Sequence, residues 1–102
     1  MTDLFTIIEI RIKPPHREAY LQAARAFLDK RRVNDDWTHH TTHIDAADPC
    51  HCVITVRWHD EDKMKAHFTS SELKAFSAET ESYLAQPAIY RTFTIEIART
   101  LL

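Results

Sequence analysis

Glycine is absent from this 102-residue chain. Because glycine reaches positive φ at turns and helix ends at little cost, other residues must close the turns here. Phosphate loops built on glycine are excluded, and with them the usual nucleotide-binding signatures. We expect the asparagine and aspartates at 34–36, Asp45 and Asp48 to serve as turn residues, in loops longer than two residues.

Long apolar runs and an excess of charge are lacking as well. No stretch approaches the ~18 apolar residues that span a bilayer, and the N-terminus lacks the features of a signal peptide, so we expect a cytoplasmic protein with no membrane partner. The formal net charge is −2, from 13 basic and 15 acidic side chains dispersed along the chain. That balance gives no electrostatic basis for binding nucleic acid. Two cysteines are present, Cys50 and Cys52, and we expect neither in a structural disulfide.

Alternating apolar residues predict the strands of one domain that spans residues 1–102. The clearest case is the first strand, where Ile8, Ile10 and Ile12 share one side. A weaker, more polar strand is rich in β-branched and aromatic residues. The four predicted strands cover residues 4–13, 37–44, 51–58 and 89–98.

Two helices are predicted between these strands. The first follows Pro14-Pro15 and ends in the basic residues 30–32, which favour the negative end of the helix dipole. Its charged residues, Arg25 and Asp29 among them, are expected on a solvated face. The second helix is broken, with Asp60 as the N-cap of its first part and Thr69 spaced with Glu72 as a capping box for its second. The second part should direct Leu73, Phe76, Tyr83 and Leu84 toward the core.

The element order βαββαβ is that of a ferredoxin-like α+β fold, with an antiparallel four-stranded sheet, central strands one and three, and both helices on one face. The other face is predicted to carry a mixture too apolar for water, so we expect a second copy of the sheet to cover it in a homodimer. Glu9, Arg11, Arg57 and Glu96 are expected there in cross-strand or intersubunit ion pairs. The predicted members of this face are Phe5, Ile7, Glu9, Arg11, Val53, Thr55, Arg57, Thr92, Thr94 and Glu96.

The run WHDEDKMKAHFTSSELKAF, Trp58 to Phe76, resembles the antibiotic biosynthesis monooxygenase (ABM) family of the dimeric α/β-barrel superfamily. The shared features are an aromatic residue ending strand three, an acidic cap two residues later, and a histidine at the end of a short helix. The entry FTIIEIRIKPPHREAY is similar too. The resemblance implies a homodimer with a pocket between sheet and helices in each subunit. Members include cofactor-independent monooxygenases, haem-degrading enzymes, isomerases and proteins of no known activity.

The chain departs from the family pattern in two places. Thr38, His40 and Thr42 align with larger apolar side chains that face the helices in the family, so the pocket wall should be unusually polar. In the haem-degrading branch, the tryptophan and histidine of the signature align with His67 and Ser77, which argues against that activity.

The resemblance and the residue chemistry together give a candidate site. His67 and His40 are the predicted catalytic residues, because imidazole exchanges protons near neutral pH. Trp58, Thr38, Thr42, Tyr83 and Arg91 are the predicted substrate contacts. The alternatives are that His67 and Trp58 only fill the core, and that a one-residue shift of strand two turns His40 to the other face.

These residues predict a cofactor-independent monooxygenase that acts on a small aromatic or quinol-like substrate. An isomerase of a small polar or phosphorylated metabolite is an alternative, and it would need a cationic anchor in the pocket. A non-catalytic small-molecule-binding dimer is another. We expect no metal site, because His39 and His43 lie ~13 Å apart along a strand and His39 and His40 point to opposite faces.

Overall fold

The computed structural model describes residues 3–35 and 39–94, with side chains at 3–32 and 39–94. The sheet is antiparallel with strand order β2-β3-β1-β4, so the predicted ferredoxin-like α+β fold and its central strands are confirmed. The elements are β1 (Leu4–Arg11), α1 (Arg17–Asp35), β2 (His39–Ile44), β3 (His51–Trp58), α2 (Glu61–Phe68), α3 (Ser71–Thr80) and β4 (Ile89–Thr94).

The core lies between the helices and the two central strands. Successive side chains of a strand point to opposite faces, and in β3 every second residue is buried, from Cys52 to Trp58. Ile8 and Ile10 of β1 lie on the same face. Tyr20, Ala24 and Leu28 of α1 lie four residues apart on one helix face and close the core from above.

Helix α1 is longer than predicted. A 3₁₀ turn at Pro14–His16 precedes it, and α1 then continues to Asp35 instead of ending at the basic residues 30–32. Asparagine and aspartate are at most about 0.7 kcal/mol less favourable in a helix than alanine, which is too little to stop an established helix. The predicted turn role of residues 34 and 35 is therefore wrong, and residue 36 lies outside the described residues.

The two parts of the second helix are separated by two adjacent hydroxyl residues. Asp60 caps α2 as predicted, because its carboxylate accepts from the N–H groups of Asp62 (2.8 Å) and Lys63 (3.2 Å). The capping box at Thr69 is wrong. The Thr69 hydroxyl donates to the Lys65 carbonyl at the end of α2 (2.9 Å), and Ser70 is the residue that caps α3.

The polar strand β2 has the register that places His40 toward the helices. His40 pairs with Val56 and Thr42 with Ile54, both on the buried side of β3, so the alternative shift by one residue is excluded. The turn 45–50 that follows is closed by aspartates, as predicted. Asp45 accepts from the Ala47 N–H (2.8 Å) and Asp48 from the Cys50 N–H (3.0 Å).

Strand β4 presents the opposite face from the predicted one. Thr92 pairs with Thr6, and their hydroxyls are hydrogen-bonded at 3.1 Å on the helix-covered side. Thr92 and Thr94 therefore face the helices, and Phe93 lies on the open face opposite Phe5. The alternation in the sequence shows which residues share a face, but the pairing with β1 decides which face that is.

The open face carries five apolar residues among charged pairs. Glu9 forms a predicted cross-strand pair with His51 (2.9 Å). Arg11 and Arg57 pair instead with residues outside the strands, Asp48 (3.9 Å) and Asp3 (2.6 Å), and Glu96 lies outside the described residues. We call the five apolar residues the apolar patch: Phe5, Ile7, Val53, Ile89 and Phe93.

Neither cysteine is in a disulfide. Cys52 is buried, and burial raises the pKa of its thiol to about 11. Within the part of the chain that the structure describes, no helix is both long and apolar enough to cross a membrane.

Candidate functional site

His67 is buried in an aromatic enclosure under α2, with 5% of its surface exposed. Positions three and four apart share a helix face, so Met64, His67 and Phe68 all point toward the sheet. The imidazole packs against Phe68 (ring centroids 5.2 Å apart), Trp58 (5.5 Å) and Phe27 (6.1 Å). Neighbours from α1, α2 and β3 therefore fix the plane of the ring.

A small cavity of about 30 Å³ lies beside His67, and we call it the aromatic chamber. That volume is roughly one water molecule's share of liquid, and an aromatic ring needs a cavity of about 150 Å³. Burial raises the pKa of the phenols of Tyr20 and Tyr90, so both stay neutral and can donate hydrogen bonds. The chamber is lined by Ile8, Ile10, Tyr20, Ala24, Phe27, Leu28, Ile54, His67, Leu73, Phe76 and Tyr90.

His40 lies in a different setting, in a cleft of about 420 Å³ between α1 and β2 that we call the polar cleft. Its Nε2 lies 3.3 Å from Oδ1 of Asp29, whose side chain is 60% exposed. Arg25 and Thr42 line the same cleft.

The two predicted catalytic histidines line neighbouring cavities. Ala24 and Ile54 form part of the wall of both, with the polar cleft on the β2 side and the aromatic chamber under α2 and α3. The two histidines are thus divided between a mostly apolar setting and a polar one.

The predicted substrate contacts are dispersed. Trp58 is 1% exposed, and its Nε1 donates to the Thr6 hydroxyl (3.3 Å), so its ring supports His67 from within the core. Tyr83 stacks on His16 (5.1 Å), at the far end of α3. Arg91 pairs with Ile7 on the open face, on the other side of the sheet from His67. Thr38 lies outside the described residues.

Sequence reasoning missed two groups of site residues. Arg25 and Asp29 were expected on a solvated face, but both line the polar cleft. Their i,i+4 spacing at the edge of the apolar stripe of α1 was the available signal. Tyr90 was missed because β4 was assigned to the wrong face, whereas its ring lies against Phe68 (5.6 Å) on the helix-covered side.

The described residues do not bring together a metal site. Across 3–35 and 39–94, no three histidine, cysteine, aspartate or glutamate side chains are arranged to hold a metal ion.

A family model described as "Antibiotic biosynthesis monooxygenase" matches residues 4–79 of the chain. The matched range includes β1, the two predicted catalytic histidines and most of α3. A search of curated proteins found no match.

Several solved structures share the fold. PA3566 from Pseudomonas aeruginosa is 24% identical with a TM-score of 0.78, over 91% of this chain and 93% of that one. A structure from Nitrosomonas europaea, described as an antibiotic biosynthesis monooxygenase, is 16% identical with a TM-score of 0.80, over 89% of this chain and 88% of that one. A similarly described Caulobacter crescentus structure is 11% identical with a TM-score of 0.82, over 90% and 88%. At these identities the likeness establishes the fold alone.

Proposed function

The chain belongs to the antibiotic biosynthesis monooxygenase family, and on that premise we propose that it is a cofactor-independent monooxygenase. Its substrate is a small aromatic or quinol-like molecule that is oxidised beside His67. The observation that carries this proposal is a buried imidazole that lines an otherwise apolar chamber. Such a group can move a proton where water does not compete for it.

In this mechanism His67 accepts the proton of the substrate hydroxyl. The resulting phenolate is electron-rich at its ring carbons, and one of them reduces dioxygen as a carbon–oxygen bond forms. The peroxide then loses water to leave a carbonyl, so a phenol and O₂ give a quinone and H₂O. The second oxygen atom leaves in that water, and the substrate supplies all the electrons.

The surroundings of His67 hold the ring in one orientation, which is what proton transfer requires. Trp58 and Phe68 contact it from two sides. The Ser70 hydroxyl donates to the His67 carbonyl (2.7 Å) and also accepts from the Leu73 N–H (3.2 Å). Ser70 thereby joins the end of α2 at His67 to the first turn of α3.

The test is oxygen consumption with 1,4-dihydroxynaphthalene, above its uncatalysed oxidation. We expect His67→Gln to lower the rate by about 10²- to 10⁴-fold, since that is the usual contribution of a positioned proton-transfer group. The matched control is His59→Gln, which removes an exposed imidazole that contacts Asp3. A wild-type rate in His67→Gln would refute the proposal.

We also propose that the protein is a homodimer through its open sheet faces. Ile89 and Phe93 of the apolar patch are 36% and 49% exposed, and apolar residues clustered in this way favour a protein partner. A second copy presents the same patch, so each would cover the other about a two-fold axis.

A second candidate activity is supported by the polar cleft. Arg25 lies there with His40 and Thr42, which supplies the cationic anchor that an isomerase of a small phosphorylated or polar metabolite requires. In that case Arg25→Gln would weaken binding of the anionic ligand, and turnover would consume no oxygen. Oxygen uptake that is stoichiometric with product excludes this candidate.

A further inference from the structure

Helix α3 rests on the rest of the domain through few side chains. Thr80 is its buried residue, and Leu73 and Phe76 are half-buried where they face the sheet. The Thr80 hydroxyl donates to the Phe76 carbonyl (2.8 Å), a bond from i to i−4 that tends to bend a helix and weaken it slightly. The helix is thus lightly held at the point where Phe76 reaches inward.

Open grooves flank α3 on both sides. One, of about 430 Å³, lies between α3 and β4 and includes Tyr20, Pro87 and Tyr90 in its wall. The other, of about 410 Å³, lies between α1 and α3 and includes Phe27 and Lys30. The aromatic chamber lies beneath the helix, and it shares Tyr20 and Tyr90 with the first groove and Phe27 with the second.

Phe76 lines all three cavities, and no other residue in the described part of the chain does so. Its ring stacks nearly parallel on Phe27, with centroids 4.5 Å apart and planes 17° apart, and lies 6.2 Å from the Tyr20 ring. The ring therefore separates the chamber from both grooves while it occupies a flat aromatic site against Phe27.

We propose that Phe76 is the gate of the aromatic chamber and sets which substrates enter it. When Phe76 swings out, a planar aromatic ligand enters from the groove between α3 and β4 and takes its place on Phe27, beside His67. This assignment rests on the proposed function only in that it concerns the same chamber. That groove is the entrance because it shares Tyr20, Phe76 and Tyr90 with the chamber, one residue more than the groove on the other side.

The volumes explain why a gate is needed. The chamber holds about 30 Å³ and a benzene-sized ring needs about 150 Å³, so the closed form excludes every aromatic substrate. Removing the Phe76 ring would join the chamber to grooves that are each above 400 Å³. Affinity for an aromatic ligand then includes the cost of displacing Phe76.

Binding of 2-naphthol to the whole protein, measured anaerobically by calorimetry, tests the gate without turnover. We expect Phe76→Ala to bind at least tenfold more tightly than the wild type, and Phe76→Trp at least tenfold more weakly. Leu73→Ala is the matched control, because Leu73 lines the chamber on the same helix but lines neither groove. It enlarges the chamber without opening it, so its affinity should rise less than that of Phe76→Ala, by a factor of at least three.

The side-chain ¹⁵N and ¹H resonances of His67 report where the ligand binds, and we expect 2-naphthol to shift them. If Phe76→Ala does not fold, Phe76→Leu replaces it, with an expected affinity between those of the wild type and the full truncation. The gate is refuted if the truncated variant binds no more tightly than Leu73→Ala, or if the His67 resonances do not move. Naphthol binding that follows the gate, without any quinol oxidation, would refute the proposed activity and leave the gate intact.

Discussion

The two faces of the sheet carry different kinds of polar groups. On the helix-covered face the Thr6 hydroxyl is fully buried, accepts from Trp58 Nε1 (3.3 Å) and is hydrogen-bonded to Thr92 (3.1 Å). On the open face, carboxylates and cations gather in clusters at the edges of the apolar patch. Asp3 is bound there by both Arg57 and His59 (2.6 and 2.8 Å), and the hydrogen bonds from His59 and then Arg57 lower its pKa.

The helix-covered face is thus buried within the domain, whereas the open face is the one that the proposed second copy would cover. Buried polar groups need a partner within the fold, and on the helix side Thr6 and Trp58 provide one for each other. The open face leaves Phe93 and Ile89 in water, framed by charges that can specify how a second molecule is oriented. His67 lies on the helix-covered face, where the packing that stabilises the fold also surrounds the candidate site.

The largest effect that tests this contrast is the loss of Trp58. We expect Trp58→Ala to lower the free energy of unfolding by about 3–5 kcal/mol in urea titrations, since it empties a large volume in the core. Phe93→Ala, on the open face and 49% exposed, should cost far less when both are measured on the monomer. Equal losses in the two variants would mean that both faces contribute alike to the free energy of unfolding.

A smaller effect is expected on association. Phe93→Arg should weaken dimerisation at least tenfold in sedimentation experiments, because it places two like charges across the proposed interface. Ile44→Arg is the matched control, since Ile44 is similarly exposed (43%) but pairs with Cys52 on the helix-covered side. Equal weakening by both variants would show that the open face is not the interface.

The smallest effect concerns His51, which Glu9 and Asp45 hold on the open face at 2.9 Å each. The hydrogen bonds that His51 donates to Asp45 and Glu9 raise the pKa of His51 above 6.5, and the bond with His51 helps lower the pKa of Asp45 below 3.8. A raised histidine pKa gives stability that is present below pH 6.5 and is lost as the pH rises through the folded-state pKa. A lowered aspartate pKa gives stability that is lost as the pH falls below 3.8.

His51→Gln should therefore lower stability most between about pH 4 and pH 6.5, with the difference shrinking at higher pH. Thermal unfolding of the wild type and of His51→Gln across this pH range measures the difference in stability. A difference that stayed constant with pH would show that the cluster acts through packing alone.

The sequence was sufficient for the faces of the two central strands because their patterns have one interpretation. From Ile8 onward in β1 and from Ile54 onward in β3, apolar and polar residues alternate, which leaves one choice of buried face. In β4, isoleucine and phenylalanine alternate with tyrosine and threonine, and both sets suit a half-buried surface. When both faces of a sheet bury apolar residues, hydrophobicity cannot choose between them, and the Thr6–Thr92 pairing does.

The site was harder to predict than the fold because it depends on cavities. That α2 turns His67 inward follows from helical spacing, and that His40 faces the helices follows from the register. Neither pattern shows that Ala24 and Ile54 line two separate cavities, or that the Phe76 ring lines the chamber and stacks on Phe27. Those facts come from how side-chain volumes fit together, which residue spacing does not encode.

The central position of β1 also bears on how the chain is made. Its partners are β3, whose pairing begins about 40 residues later at His51, and β4, which follows α3. At roughly 5–20 residues per second, the ribosome leaves β1 without either neighbour for about 2 to 8 seconds. Throughout that interval the row of isoleucines that will form the core has no native strand beside it. A domain built this way depends on β1 staying out of contact with other nascent chains until the third strand emerges.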